Sequence, residues 1–227
     1  MKANWKNTAV VVPIYNSEKY LIELFERINK FFPKNCIFAV NDASTDNSKE
    51  ICQNYGVSVL DIEINRGKGY ALQTGFQAAL EKGFNFAFSI DSDLQHKPED
   101  FPLFIQKQNQ DEEDIIIGKR SFSHKQMPFH RICSNKLTSK IVTFATKQKI
   151  LDSQCGFRLY NLELIKGTKF QTERYQFETE VIFKFAKKNG KIVFVPIETI
   201  YAGQKSYISG LRDIKNFVRI VISEIKS

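Results

Sequence analysis

Two carboxylates one residue apart, Asp91 and Asp93, close the apolar run of residues 84–90. The run alternates Phe, Ala and Ile in the manner of a buried strand. Carboxylates this close at a strand end can share one hard divalent cation. Mg²⁺ or Mn²⁺ takes one or two protein carboxylates together with phosphate oxygens. The chemistry of such a pair would be to seat a metal–diphosphate. The same Asp-Ser-Asp run also fits a turn that caps a helix, so the pair needs company before it counts as a site.

Asp42 ends a second apolar run, residues 36–40. A carboxylate there can accept a hydrogen bond from a ribose or a base, or start the next helix as an Asx turn. Arg66-Gly67-Lys68-Gly69 sets two cations and two glycines before a helix N-terminus, which suits an anion. It is neither a Walker loop nor a Gly-x-Gly-x-x-Gly fingerprint, and that argues against an ATPase or a dehydrogenase. Arg120, Arg131 and Arg158 are placed in loop regions. A guanidinium fork there would take two phosphate oxygens, although each alone also reads as a solvated charge. Glu178 and Glu180 lie two apart on an expected helix and cannot share a face. One at most would meet a crevice, and the other is expected at the surface. His96 is read as a surface or hydrogen-bonded residue, with a ligand role as the alternative.

These side chains need strand ends to hold them. Residues 8–12 are a β-branched run closed by Pro13-Ile14-Tyr15-Asn16. Ser17 can cap a helix that carries Leu21, Leu24, Ile28 and Phe31 at helical spacing and stops at Pro33. Ser44 is a second candidate cap. Residues 57–62 read as a third strand, and Ala71, Leu72, Gly75, Phe76, Ala79 and Leu80 mark a further helix. Strand and helix alternate with short links, which predicts an α/β fold with a mainly parallel central sheet flanked by helices. In such a sheet ligands bind at the carboxyl ends of the strands. Beyond Pro98 the pattern loosens. A polar, exposed stretch is expected over 106–113, a short strand at 115–117 and an amphipathic helix over 132–147. A loop at 151–158, a helix over 176–188, an extended segment over 192–200 and an amphipathic helix over 210–225 complete the chain.

The 227 residues carry a net charge of +8, with the excess mostly from Lys119 to Lys149 and near the C-terminus. A basic surface suits nucleic acid, anionic lipid or phosphorylated substrates. No helix-turn-helix, zinc-finger or RNA-binding signature is present, so nucleic acid is not expected. No apolar run approaches the ~20 residues of a membrane span, and the start lacks a signal-peptide pattern. The expectation is a cytoplasmic protein, at most peripheral on the inner face of the cytoplasmic membrane. Cys36, Cys52, Cys133 and Cys155 lack metal-type spacing and are expected to be reduced and mostly buried.

Four stretches now stand in order: Val11-Val12-Pro13-Ile14-Tyr15-Asn16, Val40-Asn41-Asp42-Ala43-Ser44-Thr45-Asp46, Asn65-Arg66-Gly67-Lys68-Gly69-Tyr70-Ala71 and Asp91-Ser92-Asp93-Leu94-Gln95. Together they closely resemble the family 2 glycosyltransferases of GT-A fold. Asn-x-Gly-Lys-Gly, Asp-x-Asp-Leu-Gln and Asp152-Ser153-Gln154-Cys155-Gly156-Phe157-Arg158 are similar to the branch of dolichyl-phosphate mannosyltransferases and glucosyltransferases. The resemblance implies a single domain over 1–227, with a nucleotide-sugar-binding half at 1–100, an acceptor-binding half at 101–209 and an amphipathic helix at 210–227. It implies a nucleotide pocket from Pro13, Tyr15, Asn16 and Asp42, with Lys68 beside it and Arg120 also binding the nucleotide sugar. Asp91, Asp93 and Gln95 would hold Mg²⁺ or Mn²⁺ on a UDP- or GDP-hexose. Arg120, Arg131 and Arg158 would gather the acceptor phosphate and the diphosphate. Ala43 stands where the family usually has Gly, and Gln154-Cys155 where mannosyltransferase relatives often have Thr-Ser.

The expected reaction is inverting, metal-dependent transfer of a hexose to a polyprenyl phosphate of dolichyl or undecaprenyl type, with a membrane surface as a partner. A lipid phosphate is already anionic and needs no general base. A sugar hydroxyl on a surface polysaccharide or glycolipid, the alternative acceptor, needs one, with Asp152 and Glu178 as candidates. A nucleotide-sugar-binding protein without transferase activity is the alternative of another class. A sugar-nucleotide pyrophosphorylase would want a Gly-rich start on the first strand, where this chain has Pro13-Ile14-Tyr15-Asn16.

Overall fold

The first strand, β1 (Thr8–Ile14), is buried along its whole length, as a parallel strand must be when helices cover both faces of its sheet. The computed structural model describes residues 1–121, 129–200 and 210–226, the side chains of 111, 129–131, 210–214 and 226 excepted. After β1 come α1 (Glu18–Asn29), β2 (Ile37–Asp42), α2 (Ser48–Tyr55), β3 (Ser58–Ile62), α3 (Lys68–Glu81) and β4 (Phe86–Ser89). The second half adds α4 (Phe101–Asp111), β5 (Ile115–Arg120), α5 (Phe129–Thr146), β6 (Arg158–Asn161), α6 (Leu162–Ile165), α7 (Phe177–Lys187), β7 (Ile192–Ile197) and α8 (Gly210–Lys226).

All seven described strands join one sheet in the order β3-β2-β1-β4-β6-β5-β7. β1 to β4 pair in parallel, and β7 is parallel to β5. β6 alone runs antiparallel to its neighbours. The chain lays β2 and β3 on one side of β1 and then crosses to place β4 on the other. The order therefore reverses between β1 and β4, which is where an open α/β sheet forms its ligand crevice. The register shows the opening. β1 stays beside β2 as far as Ile14↔Asn41, but its pairing with β4 ends at Val11↔Ser89. The Val11 carbonyl accepts the Ile90 N–H at 3.2 Å, so Pro13, two residues on, turns its hydrogen-free nitrogen to the side where β4 has ended. A proline in this inner strand thereby breaks no ladder bond.

Close packing fixes β4 against what surrounds it. Phe88 lies 4.5 Å from the ring of Phe101 and 6.0 Å from that of Phe157, and Phe157 lies 4.5 Å from Phe104. This cluster locks the strand that leads to Asp91 onto α4 and onto the segment before β6; aromatic pairs add about 0.5–1.5 kcal/mol each beyond area burial. On the other face of the sheet, a Cβ at Gly75 would fall 2.3 Å from the Val11 side chain, so α3 sits against β1 at a distance only glycine permits.

Local departures from the sequence reading have local causes. Ser17 precedes α1 without a side-chain cap; its hydroxyl is 2.7 Å from that of Ser92 instead. Helix α2 starts at Ser48, three residues later than a Ser44 cap would set it, because the Ser44 hydroxyl accepts the Asn16 N–H. The stretch 106–113 is largely α4 and is not uniformly exposed. Gln108 is buried, accepting from the Ala3 N–H and donating to the Met1 carbonyl. All four cysteines are free, and Cys133 alone of them is exposed.

Candidate functional site

Four exits meet at the switch point: those of β1, β2 and β4, and the segment leading into β6. Beyond β4 the chain turns sharply. Leu94 has φ +59°, a left-handed conformation that a branched residue adopts only under constraint. The turn folds Gln95 back on Asp93, whose carboxylate accepts the Gln95 backbone N–H at 3.0 Å and its side-chain amide at 2.7 Å. The buried Ser17–Ser92 hydroxyl pair pins this turn to the exit of β1.

Asp91 and Asp93 are shifted in opposite directions. Burial and the neighbouring Asp91 charge push Asp93 up to about 6. Burial also opposes ionisation of Asp91, but Lys68 beside it outweighs that and holds it below the ordinary carboxylate range. The Lys68 ammonium is 2.6 Å from Asp91 and 2.9 Å from Glu178. Burial would lower its pKa, yet the two carboxylates hold it above the usual lysine value. Gly156 backs onto this bridge. A Cβ there would lie 2.5 Å from both Asp91 Oδ2 and Lys68 Nζ, and the Gly156 carbonyl accepts from the Ser89 hydroxyl at 2.6 Å. Gly156 and Ser92 were given no role from sequence, although Gly156 lies inside the quoted 152–158 stretch.

At the exit of β2, Asp42 is buried and accepts the backbone N–H groups of Arg66 and Gly67 at 2.8 and 2.7 Å. Its carboxylate fixes the loop that opens α3. Asn16 ties β1 to β2 through the Thr45 N–H at 2.8 Å, and Tyr15 is exposed. Arg66 stacks on Tyr70 with its guanidinium 3.5 Å from the ring centroid and pairs with Glu173. Neither cation of the Arg66–Gly69 run is left as a solvated charge.

The second half rearranges the expected phosphate ligands. Arg120, at the end of β5, grips Asp152 through Nε and Nη2 at 2.8 and 2.9 Å. Asp152 is fully buried, also accepts from Asn135 at 3.0 Å, and is held below its ordinary range because these partners outweigh burial. A carboxylate so occupied is poorly placed to take a proton. Arg158 is no loop residue; it opens β6, has no exposed surface, and donates to the carbonyls of Cys155, Glu178 and Ser153 at 2.6–2.8 Å. It shapes the 152–158 loop and does not face the crevice. Arg131 lies in the first turn of α5 and not in a loop, and its side chain is outside the described residues. Both glutamates of α7 are buried, against the expectation that one would be exposed. Glu178 meets Lys68, while Glu180 accepts the N–H groups of Gln171 and Thr172 and the Thr172 hydroxyl. Eight buried residues of α7 make a two-faced reading of that helix fail. His96 is buried with an unpartnered Nδ1, and burial lowers its pKa to about 4, so it is neutral.

The donor set suits a hard cation. Asp91, Asp93 and the Gln95 amide offer oxygen ligands, and the repulsion that raises Asp93 is what a divalent ion would relieve.

A sequence model described as glycosyl transferase family 2 matches residues 9–168. The chain is 34% identical over 198 residues to an uncharacterized protein of Methanocaldococcus jannaschii, covering 85% of this chain and 81% of that one. It is 28% identical over 214 residues to the UDP-N-acetylglucosamine–dolichyl-phosphate N-acetylglucosaminyltransferase of Methanococcus voltae, with 85% of each covered. It is 24% identical over 203 residues to the undecaprenyl-phosphate mannosyltransferase of Micrococcus luteus, with 82% and 81% covered. Glucosyl-3-phosphoglycerate synthase from Mycobacterium tuberculosis, solved with Mn²⁺, UDP-glucose and phosphoglyceric acid, superposes with a TM-score of 0.76 at 17% identity, over 97% of this chain and 80% of that one. This last likeness is one of fold.

Proposed function

The chain belongs to glycosyl transferase family 2 and is a glycosyltransferase; from that premise we propose that it moves a hexose from a nucleoside-diphosphate sugar to a polyprenyl phosphate, with inversion at the anomeric carbon. The observation that carries the acceptor class is the state of the two candidate bases. Asp152 is locked by Arg120 and Asn135, and Glu178 is buried against Lys68. Neither is disposed to deprotonate a sugar hydroxyl, whereas a phosphate acceptor arrives ionised and needs no base. The names of the Methanococcus and Micrococcus relatives point the same way.

Asp91, Asp93 and Gln95 would hold Mg²⁺ or Mn²⁺, which when bound neutralises charge on the departing nucleoside diphosphate. Pro13, Tyr15 and Asn16 would line the nucleotide. Asp42 positions the 65–67 loop beside it, with its carboxylate already engaged by two N–H groups. Lys68, held by Asp91 and Glu178, would lie beside the nucleotide pocket with a fixed positive charge. Arg120, held in plane by Asp152, and Arg131 would meet the acceptor phosphate. The acceptor oxygen then attacks from the face opposite the leaving group, which sets the inverted product. On this reading the enzyme works peripherally at the inner face of the cytoplasmic membrane; no helix among the described residues is long and apolar enough to cross one.

The test is product formation by purified protein from labelled UDP- and GDP-hexoses with Mn²⁺, offered either a polyprenyl phosphate or a saccharide. Transfer to the lipid phosphate is expected. Transfer to the saccharide alone would sink the acceptor assignment.

A further inference from the structure

We propose that the outward faces of α5 and α8 form one docking face for an anionic lipid bilayer. The inference rests on the lipid-phosphate reading above and names the surface that would keep the enzyme beside such an acceptor. Helix α5 packs against α7 and α8. It turns Ile132, Asn135, Ser139 and Val142 inward, at the three-to-four spacing of one helical face. On the opposite side Leu137 is 61% exposed and Phe144 is 88% exposed; seven residues apart, they lie two turns along one stripe. Helix α8 buries Ile220, Val221 and Glu224, yet leaves Val218, Ile222 and Ile225 exposed at i, i+4 and i+7. Its apolar arc is wider than the body of the protein covers. Apolar stripes on two helices that touch one another are more than the scattered exposure normal for a surface.

Charge decides what covers them. The sequence of α5 contains no acidic residue. Lys136 and Lys140 are exposed on it, and Lys147 and Lys149 follow, also exposed. On α8, Lys215 and Arg219 are exposed, while Glu224 is buried and paired with Lys184 at 2.9 Å and Lys187 at 2.8 Å. Among the described side chains of α5 and α8, the acidic charge thus faces inward and the basic charge outward. A second copy of this face would set cations against cations. Anionic headgroups would neutralise that rim while the stripes enter the headgroup–acyl boundary. The face also connects to the site: Asn135, on the inner side of α5, donates to the same Asp152 that holds Arg120.

The experiment is flotation of the full chain with vesicles of phosphatidylcholine plus phosphatidylglycerol, and with phosphatidylcholine alone, at rising salt. Binding to the anionic vesicles, weakened by salt, is expected. The double variant Phe144→Glu/Ile222→Glu should bind them about tenfold more weakly or worse, with an unchanged melting temperature and an unchanged rate on a short-chain, water-soluble prenyl phosphate. Both side chains are exposed, so neither change empties the core. Binding of the wild type to neither vesicle, equal binding to both, or a dimer in sedimentation that the double variant dissociates would each overturn the docking face. Intact vesicle binding without transfer to any prenyl phosphate would instead overturn the acceptor reading and leave the docking face standing.

Discussion

At the exit of β4, Asp91 and Asp93 stand one residue apart, and Asp91 shares a single lysine, Lys68, with a third carboxylate, Glu178. Asp93 answers by holding its proton up to about 6. Some 60 residues along the chain, around Asp152 and Arg158, charged groups are buried more deeply and yet strain against nothing. Asp152 has Arg120 and Asn135, Arg158 has three carbonyls, and Glu180 has two amides and a hydroxyl. In the first region two like charges stand side by side; in the second each of these charges meets an opposite charge or hydrogen-bond dipoles. Crowded like charges are what a cation would relieve, whereas a charge that meets its partners holds the fold, because a buried polar atom without a partner costs about 1–3 kcal/mol. The type of residue is the same in both regions; the sign of the nearest charges and dipoles separates them.

The sharpest way to test that contrast is to alter one residue on each side. Asp91→Asn should leave the fold intact and cut transfer about a thousandfold or more, since charge stabilisation through a bound cation is worth several kcal/mol. Steady-state rates together with Mn²⁺ affinity, measured without donor, would check it. Arg158→Met should do the reverse and destabilise the protein by ~3 kcal/mol or more, because three buried carbonyls lose their donor. For a chain of this size that is a fall in Tm of roughly 10 °C. A variant that melts like the wild type but loses only acceptor KM would break the contrast and restore Arg158 as a phosphate ligand.

The pH dependence sharpens the like-charge side. Between about pH 4, where an unfolded Asp releases its proton, and about 6, where folded Asp93 does, the folded chain binds the extra proton. Without metal, the Asp93 contribution to stability is therefore present at low pH and lost as pH rises through that window. The difference in Tm between the wild type and Asp93→Asn should shrink or reverse accordingly. A cation competes with that proton, so Mn²⁺ affinity should climb with pH up to about 6 and level off above. A flat Mn²⁺ profile across the window would mean that Asp93 is not a ligand.

The smallest effect comes from the backbone. Ala43 sits at φ +57°, in the left-handed region that disfavours a Cβ and favours glycine. Ala43→Gly should stabilise the protein by about 1 kcal/mol, the cost of a non-glycine residue in that region being about 1–2 kcal/mol, with little change in rate. Chemical denaturation would read it.

The alternation of strands and helices, the apolar runs that stop at Asp42 and Asp91, and the motif order were all legible from residues in a row. They rest on local rules: β-branched runs, helical spacing, and turns that begin where apolar runs end. The same rules misjudged Arg158, Glu180 and Ser44. Arg158 was read as a loop cation for phosphate or solvent, one of Glu178 and Glu180 as exposed because most charged residues are, and Ser44 as a cap because that is what serines before helices do. What overrode them came from elsewhere in the chain. Lys68 reaches Glu178 across 110 residues, Arg120 reaches Asp152 across 32, and Ser44 is engaged by Asn16. By itself the sequence determined an α/β sheet with carboxylates at its strand ends, because side-chain period and turn chemistry are encoded within a few neighbours. Only the tertiary structure decided which charges are paired within the fold and which are crowded by like charge, because desolvation and pairing depend on segments that meet through space.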